Sequence, residues 1–351
     1  MERKYVPIEN CKNGDIVAED IVTSFGTVIL YKNTELNEYI SNRLHDWGID
    51  GIYIYEQPTT FSPAGFSGKT AQYESKYSNN VTAFKKLIKE LAEGKKLDIE
   101  KFDGITDFIT AYIDADGDII NLLDKVKDAD EYTYTTHSIN VSFYAMLIGK
   151  WMKLPSGDIK KLATAGLLHD IGKIRIPSRI LNKPEKLLPC EFEVVKKHPI
   201  LGYDLLNDAG TFDKDVMTAV LFHHEREDGS GYPYNMKGDE IDIYSKIISA
   251  ADVYEAITSN RVYKRKYTPF DAFKIFLHEC INTFDVNVVN TFLNNLAAFY
   301  TGSKVMLSSG TVGEVAFIPP DDISKPVIKV RGAFYDLSRD NSLQIVAIEV
   351  M

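Results

Sequence analysis

Residues 167–173 read LLHDIGK, and residues 223–233 read HHEREDGSGYP. The first stretch places His169 and Asp170 at the end of a predicted helix, with Gly172 as its expected stop. The second stretch places two adjacent histidines directly before a glycine-rich turn. Five of the seven histidines of the chain lie between residues 137 and 224, each beside a helix end or a turn signal. This clustering predicts a helical domain with candidate metal ligands near its helix ends.

Apolar residues recur at helical spacing on both sides of these stretches. From about residue 79 they fall on one helical face, and the pattern continues to about residue 300 with a loop-rich break at residues 225–240. A chain of 351 residues is long enough for two or three domains. We therefore predict a predominantly all-α domain over residues 97–300.

Both ends of the chain show strand patterns instead. Short strands near residues 15–18, 27–30 and 52–55, with one helix, predict a small α+β N-terminal domain over residues 1–60. Residues 61–96 are assigned to a linker, rich in Pro, Gly and Ser at its start, and a connecting helix. Four strand-like runs after Tyr300 predict a small β-rich domain over residues 301–351. The predicted fold class is thus a multi-domain protein that is mainly helical.

Composition and charge limit the partners of the protein. The formal net charge of −10 disfavours non-specific binding to DNA or RNA. Cys11, Cys190 and Cys280 are widely spaced, which argues against a disulfide framework and against a thiolate zinc site. No stretch approaches the roughly 18 apolar residues that a membrane-spanning helix needs. We therefore expect a cytoplasmic protein that binds neither nucleic acid nor a membrane, and we leave open whether it forms a homodimer.

The candidate ligands are five histidines and two aspartates. They are His137, His169, Asp170, His198, His223, His224 and Asp252. Imidazole with carboxylate suits iron, manganese or zinc, whereas thiolates favour structural zinc and all-oxygen cages favour calcium or magnesium. Seven ligands are too many for one metal with an open position, but they serve two metals if Asp170 bridges them. Two metals about 3.5–4 Å apart can activate a bridging water for attack on phosphorus, so the pattern predicts phosphodiester hydrolysis.

Lys173 is a further catalytic candidate. It lies one short turn after Asp170, where its ammonium could neutralise charge on the reacting phosphate. The alternative is a solvated lysine at the C-terminal end of a helix. The dipeptide His45-Asp46 repeats the pattern without companion ligands, so we predict that it lies on a surface helix. His278 also lacks companions and is interpreted as structural.

The chain resembles the HD-GYP phosphodiesterases, a branch of the HD hydrolase superfamily. The matching segments are YTYTTHS, LLHDIGK, ILNKP, KKHP, HHEREDGSGYP and DVYEAITSNRVYKR, in one order over roughly residues 130–270. The resemblance implies an all-helical fold and hydrolysis of a cyclic dinucleotide. Cyclic di-GMP is the expected substrate and linear pGpG the expected product, with further hydrolysis to GMP left open.

The resemblance also implies a role for each candidate residue. One metal takes His137, His169, Asp170 and Asp252, and the other takes Asp170, His198, His223 and His224; both are expected to be iron or manganese. Substrate contacts are implied for Lys173, Tyr232, Arg261 and Lys264. Arg261 and Lys264 share a face if a helix continues there, which would give a basic pocket for phosphates. The alternative for Tyr232, instead of contact with a guanine, is packing within its loop. Gly229 and Gly231 are expected to supply the positive φ that a tight loop needs.

One departure from the family bears on the number of metals. Some members carry a glutamate four residues before the first histidine and use it to hold a third metal, but Thr133 stands at that position here. We therefore expect two metals, with Asp130 or Glu131 as possible substitutes for that glutamate.

Three other functions remain as alternatives. The first is hydrolysis of another cyclic dinucleotide, such as cyclic GMP-AMP. The second is a catalytically silent adaptor that binds nucleotide or a signalling protein through the 225–240 loop, although all seven ligands are present. The third is a nucleotidohydrolase acting on mononucleotides or alarmones, which the GYP loop disfavours.

Overall fold

The computed structural model describes residues 3–22, 28–30, 32, 34, 36, 38–46, 48–55, 70–126, 133–259, 267–280, 282–339 and 342–349. The chain forms two compact units. The mixed unit comprises Met1–Ser67, Thr268–Lys274 and Leu293–Met351, and the helical unit comprises Gly68–Tyr267 and Ile275–Phe292. Among the described helices, none is long and apolar enough to cross a membrane. The expected cytoplasmic location stays a prediction.

Helices dominate the described residues, which confirms the predicted fold class. They are α1 (Glu38–Asp46), α2 (Thr70–Ala92), α3 (Ile99–Thr110), α4 (Asp116–Val126), α5 (Tyr134–Trp151), α6 (Ser156–Leu168), α7 (Ser178–Leu181), α8 (Pro189–Val195), α9 (His198–Ala209), α10 (Lys214–Phe222), α11 (Ile243–Thr258), α12 (Pro269–Lys274) and α13 (Val286–Ala298). The strands are β1 (Arg3–Pro7), β2 (Ile21–Val22), β3 (Val28–Leu30), β4 (Gly51–Tyr55), β5 (Lys304–Leu307), β6 (Val312–Phe317), β7 (Val327–Val330), β8 (Ala333–Asp336) and β9 (Ile345–Glu349).

Helix α5 forms the centre of the helical unit. Every residue from Thr135 to Gly149 is buried, as expected for a helix that is enclosed on all sides. Helix α6 packs closely against it, because a Cβ at Gly166 would lie only 2.5 Å from Ser142 Cα. The short link between the two helices lets α6 return along α5. The end of α6 therefore lies beside the start of α5, and the rings of His137 and His169 are 5.1 Å apart.

Gly172 has a different role from the one predicted. Helix α6 already ends at Leu168, and Gly172 lies inside a short 3₁₀ helix, Ile171–Arg175. A Cβ at Gly172 would lie 2.0 Å from His198 O and 2.5 Å from Gly202 N. The glycine is needed because the backbone approaches α9 this closely, and the same approach brings His198 beside Asp170.

The two ends of the chain, which the sequence suggested were separate units, share one hydrophobic core. Phe317 and Val327 from the C-terminal part belong to the same buried cluster as Val6, Ile40 and Ile52 from the N-terminal part. This sharing is a long-range contact that local periodicity does not reveal. The predicted boundaries at residues 60, 96 and 300 stay predictions, and residues 61–69, at the start of the predicted linker, lie outside the described residues.

The sheets of the mixed unit are antiparallel. Strand β1 pairs with β4 and β2 with β3, and the C-terminal sheet has the order β8-β7-β6-β5-β9. Residues 15–18 do not form the predicted strand, since Val17 makes only an isolated bridge to Ile54. Strands β1, β2 and β8 were not predicted.

Candidate metal centre

The structure brings all seven predicted ligands together in the helical unit. The ligand atoms of His137, His169 and Asp252 lie within 4.8 Å of one another and form the first group. Those of Asp170, His198, His223 and His224 do the same and form the second group. These groups match the division that the resemblance implied, with Asp170 counted in the second.

The carboxylate of Asp170 lies between the two groups. Its Oδ2 is 3.4 Å from His169 Nε2 and 3.8 Å from His137 Nε2. Its Oδ1 is 3.1 Å from His198 Nε2 and 4.0 Å from His223 Nε2. Each oxygen therefore faces one group, which is the arrangement that a bridging carboxylate requires.

Helix ends supply most of these side chains. His137 lies in the first turn of α5 and His198 is the first residue of α9, whereas His169 follows α6 and His223 follows α10 directly. Asp252 lies within α11. The ends of several helices thus converge on one point, and the sequence signal of histidines beside helix ends reflects this convergence.

Three of the histidines are oriented by backbone carbonyls. The Nδ1 atoms of His169, His198 and His223 each lie 2.8 Å from the carbonyl oxygen three residues earlier. Because a carbonyl only accepts, each Nδ1 carries the proton and donates it. In the neutral ring, Nε2 is then left with a free lone pair that points towards Asp170.

A carboxylate orients His137 instead. His137 Nδ1 lies 2.5 Å from Glu255 Oε2, and His137 Nε2 lies 3.1 Å from Asp252 Oδ1. Glu255 is fully buried, and its other oxygen accepts hydrogen bonds from Asn140 and Ser259. The sequence analysis missed Glu255. Its spacing of three residues from Asp252 was the available signal, since residues at that spacing share a helix face.

The electrostatics keep Asp170 and His223 in the forms that bind metals. Burial would raise the pKa of Asp170, but Lys173 and His169 hold it well below its usual range. Burial, together with His224 and other neighbouring histidines, lowers the pKa of His223 well below its usual range. An ionised carboxylate and a neutral imidazole are the states that metal binding requires.

The second group has the donor atoms of a cation site. His198 Nε2 and His223 Nε2 are 3.3 Å apart, and both lie near Asp170 Oδ1. With their protons on Nδ1, these nitrogens face each other and the carboxylate with lone pairs only. His169 Nε2, in the first group, is buried without a hydrogen-bond partner among the described residues, which is unusual for a buried polar atom. A divalent metal would resolve both arrangements, so the residues fit such an ion.

Lys173 lies at the edge of this centre. Its Nζ is 2.5 Å from Asp170 Oδ2, and its side chain is 29% exposed. It is therefore paired with Asp170 in this structure rather than extended into solvent, and its role towards substrate stays a prediction.

The glycine-rich loop holds Tyr232 against a candidate ligand. The Tyr232 ring stacks on His224 with 4.6 Å between ring centroids, and Tyr232 N donates to His224 O at 3.1 Å. Gly229 has a φ of +80°, as predicted, but the φ of Gly231 is not in the positive region. A Cβ at Gly231 would lie 2.5 Å from Glu225 Cα and from His224 O. Gly231 is therefore needed for close backbone approach.

Two charged residues that the sequence analysis did not single out anchor the same loop. The buried Glu225 carboxylate accepts hydrogen bonds from Tyr234 N at 2.6 Å and Met236 N at 3.0 Å. Arg226 donates to His223 O at 3.1 Å and to Ser249 Oγ at 2.5 Å. The residues that follow the paired histidines thus bind the loop to the ligand-bearing turn and to α11.

The remaining predicted residues have mixed outcomes. Arg261, Lys264, Asp130 and Glu131 lie outside the described residues. Thr133 is the N-cap of α5, with its Oγ1 accepting a hydrogen bond from Thr136 N at 3.3 Å. His45 lies exposed on α1, which confirms the expected surface position. His278 is also exposed.

Comparison with known proteins gives matches over the same region. The model of the HD domain family matches residues 121–288. The cyclic di-GMP phosphodiesterase PA4108 of Pseudomonas aeruginosa is 33% identical over 244 residues, which is 70% of this chain and 58% of that protein. The 3'3'-cGAMP-specific phosphodiesterase 3 of Vibrio cholerae is 34% identical over 165 residues, which is 47% of this chain and 35% of that protein. The chain spans about half the length of the curated relatives it matches first.

A solved structure matches most of the chain. Bd1817, an HDG"Y"P protein from Bdellovibrio bacteriovorus, aligns with a TM-score of 0.52 and 15% identity, covering 84% of this chain and 99% of that one. At that identity the likeness concerns the fold. The fold, the HD domain match and the similarity to curated phosphodiesterases agree with the motifs. The chain belongs to the HD domain family, in its HD-GYP branch.

Proposed function

We propose that this protein is a metal-dependent phosphodiesterase that hydrolyses cyclic di-GMP to linear pGpG, with GMP as the product of any second cleavage. The observation that carries the proposal is the position of Asp170, whose two oxygens each face one group of imidazoles. This geometry supports two divalent metals, and the nitrogen and oxygen donors suit iron or manganese. When bound, such a pair would supply an activated water and positive charge for the phosphate.

The residues of the chain have separate tasks in this proposal. Asp170 and the six other candidate ligands hold the metals. Lys173 binds the scissile phosphate, because its ammonium lies at the partly exposed edge of the centre beside Asp170. Tyr232 positions a guanine base; its ring already lies against His224 at that edge. Arg261 and Lys264 are assigned to the substrate phosphates on the sequence alone.

Thr133 supports two metals rather than three. Its hydroxyl caps α5 and contacts the hydroxyls of Thr135 and Thr136 at 2.9 and 3.0 Å. A threonine hydroxyl engaged in this way is a poor substitute for a glutamate ligand. A purified active sample should therefore contain close to two metals per chain.

The names of the relatives support the substrate class. PA4108 is described as acting on cyclic di-GMP, and the Vibrio cholerae relative as specific for 3'3'-cGAMP. Hydrolysis of cyclic GMP-AMP is therefore the second candidate. A signalling-protein partner at the 225–240 loop, a homodimer and a silent adaptor stay predictions from the sequence.

The test is hydrolysis by protein purified without oxygen and loaded with Fe(II) or Mn(II). Cyclic di-GMP and 3'3'-cGAMP are offered separately, and the products are separated by chromatography and identified by mass. We expect linear pGpG from cyclic di-GMP, and more than about 100-fold less from an Asp170→Ala variant. Absence of linear product from the unmutated protein with both metals and both substrates would remove the proposal. Faster hydrolysis of 3'3'-cGAMP than of cyclic di-GMP would make 3'3'-cGAMP the assigned substrate.

A further inference from the structure

We infer that Glu255 is a positioning residue that holds His137 for metal binding and makes the two halves of the centre unequal. The inference rests on the proposed metal centre and deepens it. It predicts that loss of the Glu255 charge lowers the affinity of the first group, His137, His169 and Asp252, for its metal. The second group should still bind its metal.

The geometry begins with one turn of α11. Asp252 and Glu255 are three residues apart and therefore project from the same helix face. Both reach the same imidazole, with Asp252 Oδ1 3.1 Å from His137 Nε2 and Glu255 Oε2 2.5 Å from His137 Nδ1. The ring of His137 is thus held at both nitrogens by carboxylates from a single helix.

A buried network fixes the Glu255 carboxylate. Its side chain is fully buried, and its Oε1 accepts hydrogen bonds from Asn140 Nδ2 at 3.0 Å and Ser259 Oγ at 2.8 Å. Asn140 Oδ1 in turn accepts a hydrogen bond from Tyr77 OH at 2.6 Å. A buried carboxylate is costly unless it is hydrogen-bonded, and here each oxygen has a donor. The network therefore leaves Glu255 in one position, with Oε2 directed at His137.

The other oriented histidines have a neutral partner at this position. His169, His198 and His223 donate from Nδ1 to backbone carbonyls, which are neutral acceptors. A carboxylate acceptor makes an imidazole more basic and fixes its tautomer and orientation, and both effects strengthen binding at Nε2. Of these four histidines, His137 is the one whose partner can be altered by a side-chain substitution. The chain thus offers a direct test.

The test uses Glu255→Gln in the whole chain. Glutamine keeps the shape of the side chain and an oxygen that can accept from Nδ1, but it removes the charge. Mn(II) content is measured by elemental analysis, Mn(II) affinity by competition with a chelator, and pairing of the two ions by electron paramagnetic resonance. We expect one of the two sites to weaken about 10–100-fold, the usual effect of losing a partner of a metal-binding histidine. The spectrum of a coupled pair should give way to that of a single ion.

Two further variants serve as controls. Tyr77→Phe removes the far end of the network without touching the carboxylate, and should change Mn(II) affinity by less than about fivefold, the worth of one ordinary hydrogen bond. Glu255→Asp keeps the charge but shortens its reach, and should weaken the same site, which covers the case in which Glu255→Gln fails to fold. Circular dichroism and thermal melting monitor folding of each variant.

The outcomes separate this inference from the proposed function. If the unmutated protein binds no divalent metal, the metal centre and the inference both fail. If it binds two ions, and the folded Glu255 variants bind both with unchanged affinity and coupling, Glu255 has no positioning role and the proposed function stands. Equal weakening of both sites would also overturn the inference, because it would show that the two halves are not distinguished by Glu255.

Discussion

The chain contains the same dipeptide in two settings. His45-Asp46 ends α1 in the mixed unit, where His45 is exposed and belongs to neither ligand group found among the described residues. His169-Asp170 follows α6 in the helical unit, where the two residues are 0% and 1% exposed. Around it lie imidazoles from three other helix ends.

The difference lies in what surrounds each pair. The exposed imidazole of His45 is solvated by water and gains little from a nearby cation. At His169-Asp170, burial removes that water, and backbone carbonyls keep the Nδ1 protons directed away from the centre. Unshared lone pairs then face one another, and a divalent metal would satisfy them. The chemistry available to the dipeptide therefore depends on the residues packed around it.

The largest expected effect separates the two dipeptides directly. Asp170→Ala removes the carboxylate shared by both groups, so the rate of hydrolysis should fall by more than about 100-fold. This loss exceeds the usual one, about 10–100-fold, for a residue that only orients a metal ligand. Metal content should fall with it, measured on the same sample. His45→Ala is the matched control and should change neither quantity. Comparable losses in both variants would contradict the comparison.

A smaller effect should follow from crowding the loop that follows the paired histidines. Gly231→Ala would place a Cβ against backbone atoms at 2.5 Å, which cannot move as a flexible side chain can. The free energy of unfolding should fall by about 1–3 kcal/mol, and KM should rise because Tyr232 shifts from His224. Urea denaturation and steady-state kinetics measure the two effects.

The control for the loop variant is Gly157→Ala. Gly157 lies exposed in the first turn of α6, and among the described residues no atom beyond its chain neighbours and its own helix backbone lies within 4 Å of an added Cβ. Its stability should stay the same or rise by up to about 1 kcal/mol, since alanine favours a helix more than glycine does. If both variants behave alike, close backbone approach does not explain Gly231.

The smallest effect concerns support for His137. Thr133→Ala removes the N-cap of α5 and should lower the free energy of unfolding by about 1 kcal/mol. Metal content should remain close to two per chain, because Thr133 is not assigned as a ligand. Thr133→Ser keeps a capping hydroxyl and should restore stability. A loss of one metal in Thr133→Ala would instead indicate that this position contributes to the centre.

The candidate ligands and the helical character of the domain around them could be predicted from the order of the amino acids. The seven positions were identified by their residue types together with the helix-end and turn signals beside them. The helical periodicity outside the 225–240 loop also depends only on residues that are close together in the sequence. The exposed position of His45 also followed from its lack of companions.

The way in which the ligands are held depends on contacts that are visible only in three dimensions. Glu255 contacts His137 from another helix, Gly172 and Gly231 are needed where backbones approach closely, and the two ends of the chain share one core. These features depend on distances between residues that are far apart in sequence, whereas periodicity and turn propensity describe only near neighbours. The ligands could therefore be predicted from their residue types, but the inequality of the two halves of the centre required the three-dimensional arrangement.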